Sequence, residues 1–161
     1  MPDSVEEGTI VGMTEHIDFL QLRDFAVSTA TRAAELVAAR RAELVAGDGI
    51  AAHTSTKSSD VDPVTEVDTA TEEFIATTIR TQRPGDGIFG EEGANVESTS
   101  GVTWIVDPID GTVNFLYGVP DFAVSIGAEY QGRLVAGAVV NVARGRTYAA
   151  AAGQGATVTG P

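Results

Sequence analysis

The sequence predicts an α+β domain in which two N-terminal helices pack on a largely antiparallel sheet. Two observations carry this. Apolar residues recur at helical spacing in two stretches before Thr81, and from Gly87 onward they gather into short β-branched runs separated by Gly-rich turns. At 161 residues the chain has the length of one domain with a sizeable core.

Residues Met1–His16 show no period and are acidic where a secretion signal needs basic residues ahead of an apolar block. The expected organisation is a flexible acidic tail over 1–16 and a single domain over 17–161. From Ile17 to Ala46, Phe19, Leu22, Phe25, Ala26, Ala30, Ala33, Val37 and Leu44 recur at helical spacing among Ala, Glu and Arg, which predicts a long amphipathic helix. Gly47 and Gly49 accept a left-handed conformation and are expected to end it; Ala51–Pro63 reads as a polar loop.

A second helix is expected over Asp68–Thr81, with Ala70, Phe74, Ile75 and Ile79 on its apolar side and Glu72 and Glu73 near its positive end. Pro84-Gly85-Asp86-Gly87 stops it. Strands are then expected at Gly87–Phe89, Thr103–Val106, Ala123–Tyr130, Leu134–Val142, Thr147–Ala151 and Ala156–Val158. Gln131-Gly132-Arg133 and Ala143–Arg146 have the length and composition of hairpin connections, so the architecture reads as two helices against a meander.

Composition narrows the function. The formal net charge is −13 and the ten Lys and Arg are scattered, which disfavours direct binding to nucleic acid or an anionic membrane, since both need a basic patch. No apolar run is long enough to span a bilayer. The absence of cysteine excludes disulfide scaffolds, thiolate zinc sites and cysteine nucleophiles, and makes the cytoplasm the expected compartment. Hard-metal chemistry remains open.

That chemistry is concentrated in Trp104-Ile105-Val106-Asp107-Pro108-Ile109-Asp110-Gly111-Thr112. Three apolar residues form a buried strand expected to end in Asp107, because Pro108 forbids further regular ladder pairing. Two acids three apart point to opposite faces of a continuous strand, so Asp107 and Asp110 converge only if the chain turns between them, which Pro108 and Gly111 permit. Converging carboxylates repel unless a cation or proton lies between them, and oxygen-only donors favour Mg2+ or another hard divalent ion. Thr112–Tyr117 is expected to begin a short helix whose first N–H groups point outward beside the side-chain-free Gly111, a geometry suited to phosphate.

Glu91-Glu92 adds a further acid pair where an apolar run ends at Gly90, and spacing does not choose between the two glutamates. Taken singly, each feature has an ordinary explanation. Pro-Ile-Asp-Gly is a common turn, Glu91-Glu92 a solvated surface, and Asp68 a helix N-cap or first-turn acid, with Thr65 completing a capping box. His16 and His53 have no partner motif.

Together, these segments resemble the inositol monophosphatase family, in its bacterial inositol-1-monophosphatase branch. The strongest block is Ile105-Val106-Asp107-Pro108-Ile109-Asp110-Gly111-Thr112-Val113-Asn114-Phe115, with Trp104 before it. Lys57-Ser58-Ser59 through Asp62-Pro63-Val64-Thr65-Glu66-Val67-Asp68, Gly90-Glu91-Glu92-Gly93, Asp121–Gly127 and Gly153–Ala156 agree in order, so the resemblance covers about Ala30 to the C-terminus. It implies the N-terminal half of a layered αβαβα sugar-phosphatase fold. It implies Glu91, Asp107, the Ile109 carbonyl and Asp110 as metal ligands, and Asp68 with Thr112 as the pair that orients and deprotonates the attacking water. Gly111 and Thr112 would hold the phosphate, and Lys57 and Asp62 would help close over a further metal.

The implied cofactor is Mg2+, more than one ion in a complete site and one largely preserved here. The implied substrate is a small phosphate monoester, inositol monophosphate first, with histidinol phosphate, fructose 1,6-bisphosphate or a 3′-phosphoadenosine nucleotide as rivals. A haloacid-dehalogenase mechanism fits less well, because its motif sets two aspartates two apart. Members of the family continue past the point where this chain ends at Pro161, into a portion with a further metal-binding aspartate. The expectation is therefore a chain that keeps one metal site but has little turnover, and whose sheet exposes an apolar face that favours a homodimer. The competing reading from another class is an inactive half-domain that binds metal or a protein partner.

Overall fold

Helix α1, Phe19–Ala46, begins where the Asp18 carboxylate accepts the N–H groups of Leu20 (2.9 Å) and Gln21 (3.4 Å), donors with no partner inside the helix. The computed structural model describes residues 17–47 and 63–161. The tail over 1–16 and the loop carrying Lys57 and Asp62 thus lie outside the described residues, as do His16 and His53. Gly47 does end α1, donating to the Glu43 carbonyl at 3.0 Å, but at φ −92° and not in the left-handed conformation expected of it.

Helix α2 runs over Pro63–Gln82 and starts five residues before the expected Asp68. From the sequence, Pro63 closes the polar loop Ala51–Pro63. A first-turn proline loses no helical hydrogen bond and its fixed φ suits a helix start, so it opens α2. Asp68 is consequently in the second turn, 6% exposed, and not an N-cap. The buried stripe also differs from the expected one. It runs Val64, Val67, Thr71, Ile75 and Ile79 and takes in Asp68 and Glu72, while Ala70 is exposed and Phe74 half-buried. Thr71 and Thr78 tolerate burial because each hydroxyl donates to the carbonyl four residues back, at 2.7 and 2.9 Å.

The strands are β1 (Gly87–Gly90), β2 (Asn95–Val96), β3 (Val102–Asp110), β4 (Ala123–Tyr130), β5 (Arg133–Asn141), β6 (Arg146–Ala151) and β7 (Ala156–Thr159), with helix α3 (Thr112–Tyr117) between β3 and β4. They form one seven-stranded sheet in the order β2-β1-β3-β4-β5-β6-β7. All pairs are antiparallel except β1 with β3, and the two-residue β2 is too short to show a period in the sequence. Gln131 (φ 52°) and Gly132 (φ 75°) make the two-residue turn between β4 and β5, both with the positive φ that matches strand twist.

One face of the sheet carries the core. Val102, Trp104 and Val106 of β3 and Val124, Ile126 and Ala128 of β4 alternate inward, and α1 lies across β4, β5 and β6 while α2 lies against β3 and α1. The small residues Ala26, Ala30, Ala33 and Ala34 let α1 approach closely. Phe25 meets Trp104 with ring centroids 4.9 Å apart. The Trp104 indole N–H donates to Asp86 at 2.8 Å, and Asp86 also accepts from Ser100 and Arg83. The opposite face exposes Leu134, Val139, Tyr148 and Val158 around a shallow concavity of about 370 Å³, the apolar face expected from the sequence.

Candidate metal and phosphate site

Strand β3 does not end at Asp107 as expected but continues to Asp110. Pro108 interrupts the pairing without terminating the strand: Asp107 faces Ser125 and Asp110 faces Ala123, so three steps on β3 match two on β4. The extra residue is a bulge, and it supplies the turn that the spacing of the two aspartates required. Pro108 and Ile109 are buried beneath it.

The Asp107 carboxyl stands beside the Glu91 carboxyl, and burial, followed by the interaction with Glu91 and the charge of Asp110, pushes its pKa from 3.8 up to about 7; the Ile109 backbone N–H opposes the rise. Geometry therefore separates the two glutamates that spacing could not: Glu91 meets Asp107, whereas the backbone N–H of Glu92 turns away to Glu72. Asp107 Oδ1 is buried with no hydrogen-bond partner. A donor-free carboxylate oxygen beside two further acids is what a hard cation satisfies, so the residues present fit Mg2+. The convergence is partial, because among the described residues no three His, Cys, Asp or Glu side chains gather closely enough to cage an ion. Glu91 is the nearer influence on Asp107, and Asp110 acts on it through its charge.

Gly111 follows at φ 86° and ψ 41° and caps α3, its carbonyl accepting the Phe115 N–H at 3.0 Å. A Cβ there would meet the Asp121 carbonyl at 3.0 Å, so glycine is required by both conformation and space. Thr112, half-buried, is the first residue of α3. The helix is seated from below by Arg41 of α1, whose Nε donates to the Phe115 carbonyl at 2.9 Å and whose guanidinium lies 5.8 Å from the Phe115 and Phe122 ring centroids. Asn114 Nδ2 donates to the Asp121 carbonyl at 2.7 Å, and Asn141 Nδ2 to the Asp121 carboxylate at 3.0 Å, so α3 is tied through Asp121 to the start of β4 and the end of β5.

The most consequential residue missed in the sequence is Glu72. Expected only as an acid near the positive end of its helix, it is 3% exposed and accepts the backbone N–H groups of Glu92 (2.7 Å) and Ala94 (2.8 Å). Its only signal is Gly90 ahead of the acid pair, a residue with room for a carboxylate against its Cα.

Fold and site together define an α+β chain in which the carboxyls of Glu91, Asp107 and Asp110 lie close to a glycine-capped turn. A family model described as the inositol monophosphatase family matches residues 18–161, and the chain belongs to that family, one of phosphoric monoester hydrolases. The inositol-1-monophosphatase SuhB of Mycobacterium tuberculosis is 51% identical over 148 residues, 86% of this chain and 51% of the relative. A histidinol-phosphatase of Chlorobaculum parvum is 44% identical over 101 residues, 63% of this chain and 39% of the relative. The solved structure of Mycobacterium tuberculosis SuhB superposes with a TM-score of 0.73 at 45% identity, covering 89% of this chain and 49% of that one. The chain thus spans about half the length of the relatives it matches. No helix among the described residues is long and apolar enough to cross a membrane.

Proposed function

We propose that this chain is the metal- and phosphate-holding portion of a Mg2+-dependent phosphomonoesterase that hydrolyses inositol monophosphate. The observation that carries the reading is the Glu91–Asp107 carboxyl pair with its partnerless buried oxygen, one bulge away from Gly111. Glu91, Asp107, the Ile109 carbonyl and Asp110 would hold the ion. Mg2+, when bound, neutralises phosphate charge, acidifies water and stabilises the leaving oxygen. The chain's own residues do the positioning. Gly111 and Thr112 hold the phosphate through backbone N–H groups, and Asp68 with Thr112 orients the attacking water and takes its proton. Lys57 and Asp62 help close over a further ion. A cytoplasmic homodimer with more than one Mg2+ per site completes the reading.

The 51% identity to a relative named inositol-1-monophosphatase supports inositol monophosphate as the substrate. The relative named histidinol-phosphatase favours histidinol phosphate as the second reading. The test is phosphate release in the presence of Mg2+ from inositol 1-phosphate, histidinol phosphate, fructose 1,6-bisphosphate and a 3′-phosphoadenosine nucleotide, with calorimetric Mn2+ binding as a readout independent of turnover. Inositol 1-phosphate should be preferred, and Asp110→Asn should lower hydrolysis at least about 100-fold while leaving the chain folded. Hydrolysis that survives both Asp110→Asn and chelation overturns the proposal.

A further inference from the structure

Glu72 lies on α2, four residues after Asp68 and therefore on the same helical side, and both are buried. Its two carboxylate oxygens are divided between two backbone donors of one loop: Oε2 takes the Glu92 N–H at 2.7 Å and Oε1 the Ala94 N–H at 2.8 Å. The same loop is closed on itself by the Gly90 N–H donating to the Ala94 carbonyl at 2.9 Å. The Glu91 N–H, donating to the Val106 carbonyl at 3.2 Å, ties it to β3 one residue before Asp107. A Cβ on Gly90 would lie 2.5 Å from the Glu72 carboxylate, so the loop can wrap this acid only with glycine there. Charge-assisted bonds to backbone donors in a water-poor setting are short and directional, and two of them from one rigid helix leave the intervening backbone little freedom.

We propose that Glu72 is the positioning residue for Glu91: its buried carboxylate clamps the backbone of residues 90–94 so that the Glu91 side chain is delivered to Asp107 before any cation arrives. This rests on the reading that Glu91 and Asp107 hold a divalent ion. Glu72 touches neither ion nor substrate; it acts through the loop. One helix then sets two parts of the site, Asp68 directly and Glu91 by way of Glu72. Pre-formed ligands bind a cation more tightly because the loop is not ordered at the moment of binding.

The test titrates Mn2+ calorimetrically into the metal-free chain and into two variants, each well below its own melting midpoint. Glu72→Gln sets an amide donor against one backbone N–H. Glu72→Asp keeps the charge but withdraws it by one methylene. Both should bind Mn2+ at least about tenfold more weakly than wild type. A role confined to stability predicts lower melting midpoints with unchanged affinity, and a role confined to charge predicts that Glu72→Asp binds like wild type; either result overturns the proposal. If wild type itself binds no Mn2+, the metal reading falls and takes this inference with it, whereas wild-type binding matched by Glu72→Asp removes the inference alone. Should neither variant fold, amide exchange on the metal-free wild type decides. The Glu92 and Ala94 amides must be protected, and exchange as fast as that of an open loop refutes the clamp.

Discussion

Replacing Gly111 by alanine places a methyl group on a left-handed backbone (φ 86°, ψ 41°), 3.0 Å from the Asp121 carbonyl oxygen and 3.4 Å from Cα of Phe122. The conformation alone costs an L-residue about 1–2 kcal/mol. The crowding adds to it, because the Asp121 carbonyl is held by Asn114 at 2.7 Å and cannot easily retreat; about 1 kcal/mol is a reasonable size for a misplaced methyl. Gly132, at φ 75° with nothing within 4 Å of its absent Cβ, incurs the first cost without the second. Gly132→Ala should therefore destabilise by about 1–2 kcal/mol and Gly111→Ala by about 2–3 kcal/mol, or roughly 4–12 °C in melting midpoint for a chain of this size. Urea unfolding of both variants measures the difference directly. Equal losses would show that the space around Gly111 yields freely and that its glycine is required for backbone conformation alone. Under the proposed function, Gly111→Ala should also abolish phosphate binding at a site that Gly132→Ala leaves intact.

Three further outcomes test the remaining links. In the metal-free chain Asp107, with its pKa raised from 3.8 to about 7, contributes stability that is complete below its unfolded pKa and lost as pH rises through 7. Asp107→Asn removes that dependence, so between about pH 5 and 8 wild type should lose about 1 kcal/mol relative to the variant, after discounting for solvent screening of a half-buried group. Parallel curves for the two proteins refute the assignment. Trp104→Phe removes the 2.8 Å bond to Asp86 and part of the contact with Phe25; urea unfolding should show a loss of about 2–4 kcal/mol, and a loss below about 1 kcal/mol would contradict it. Arg41→Ala leaves the Phe115 carbonyl without its long-range donor and should destabilise by about 1–2 kcal/mol; amide exchange should speed up over Thr112–Tyr117 first, and uniform exchange across the sheet would argue against a local role.

The sequence by itself determined the element types and their order, the two-residue β2 excepted. Periodicity distinguishes a helix over 19–46 from the meander after Gly87, and the Asp-Pro-Ile-Asp-Gly run identifies both a local irregularity and a family, because those signals reside in neighbouring residues. What tertiary structure alone decided is what those residues face. Pro63 opens α2 because nothing local forbids it, which moves Asp68 from a cap to a buried second turn. Pro108 becomes a bulge and not a strand end because β4 continues to pair beyond it. Glu91 is separated from Glu92, and Glu72 from an ordinary helix-surface acid, only when a loop 20 residues away folds over α2 and presents two N–H groups to one carboxylate. A carboxylate's burial and partners depend on contacts distant in sequence, and neither composition nor spacing records them.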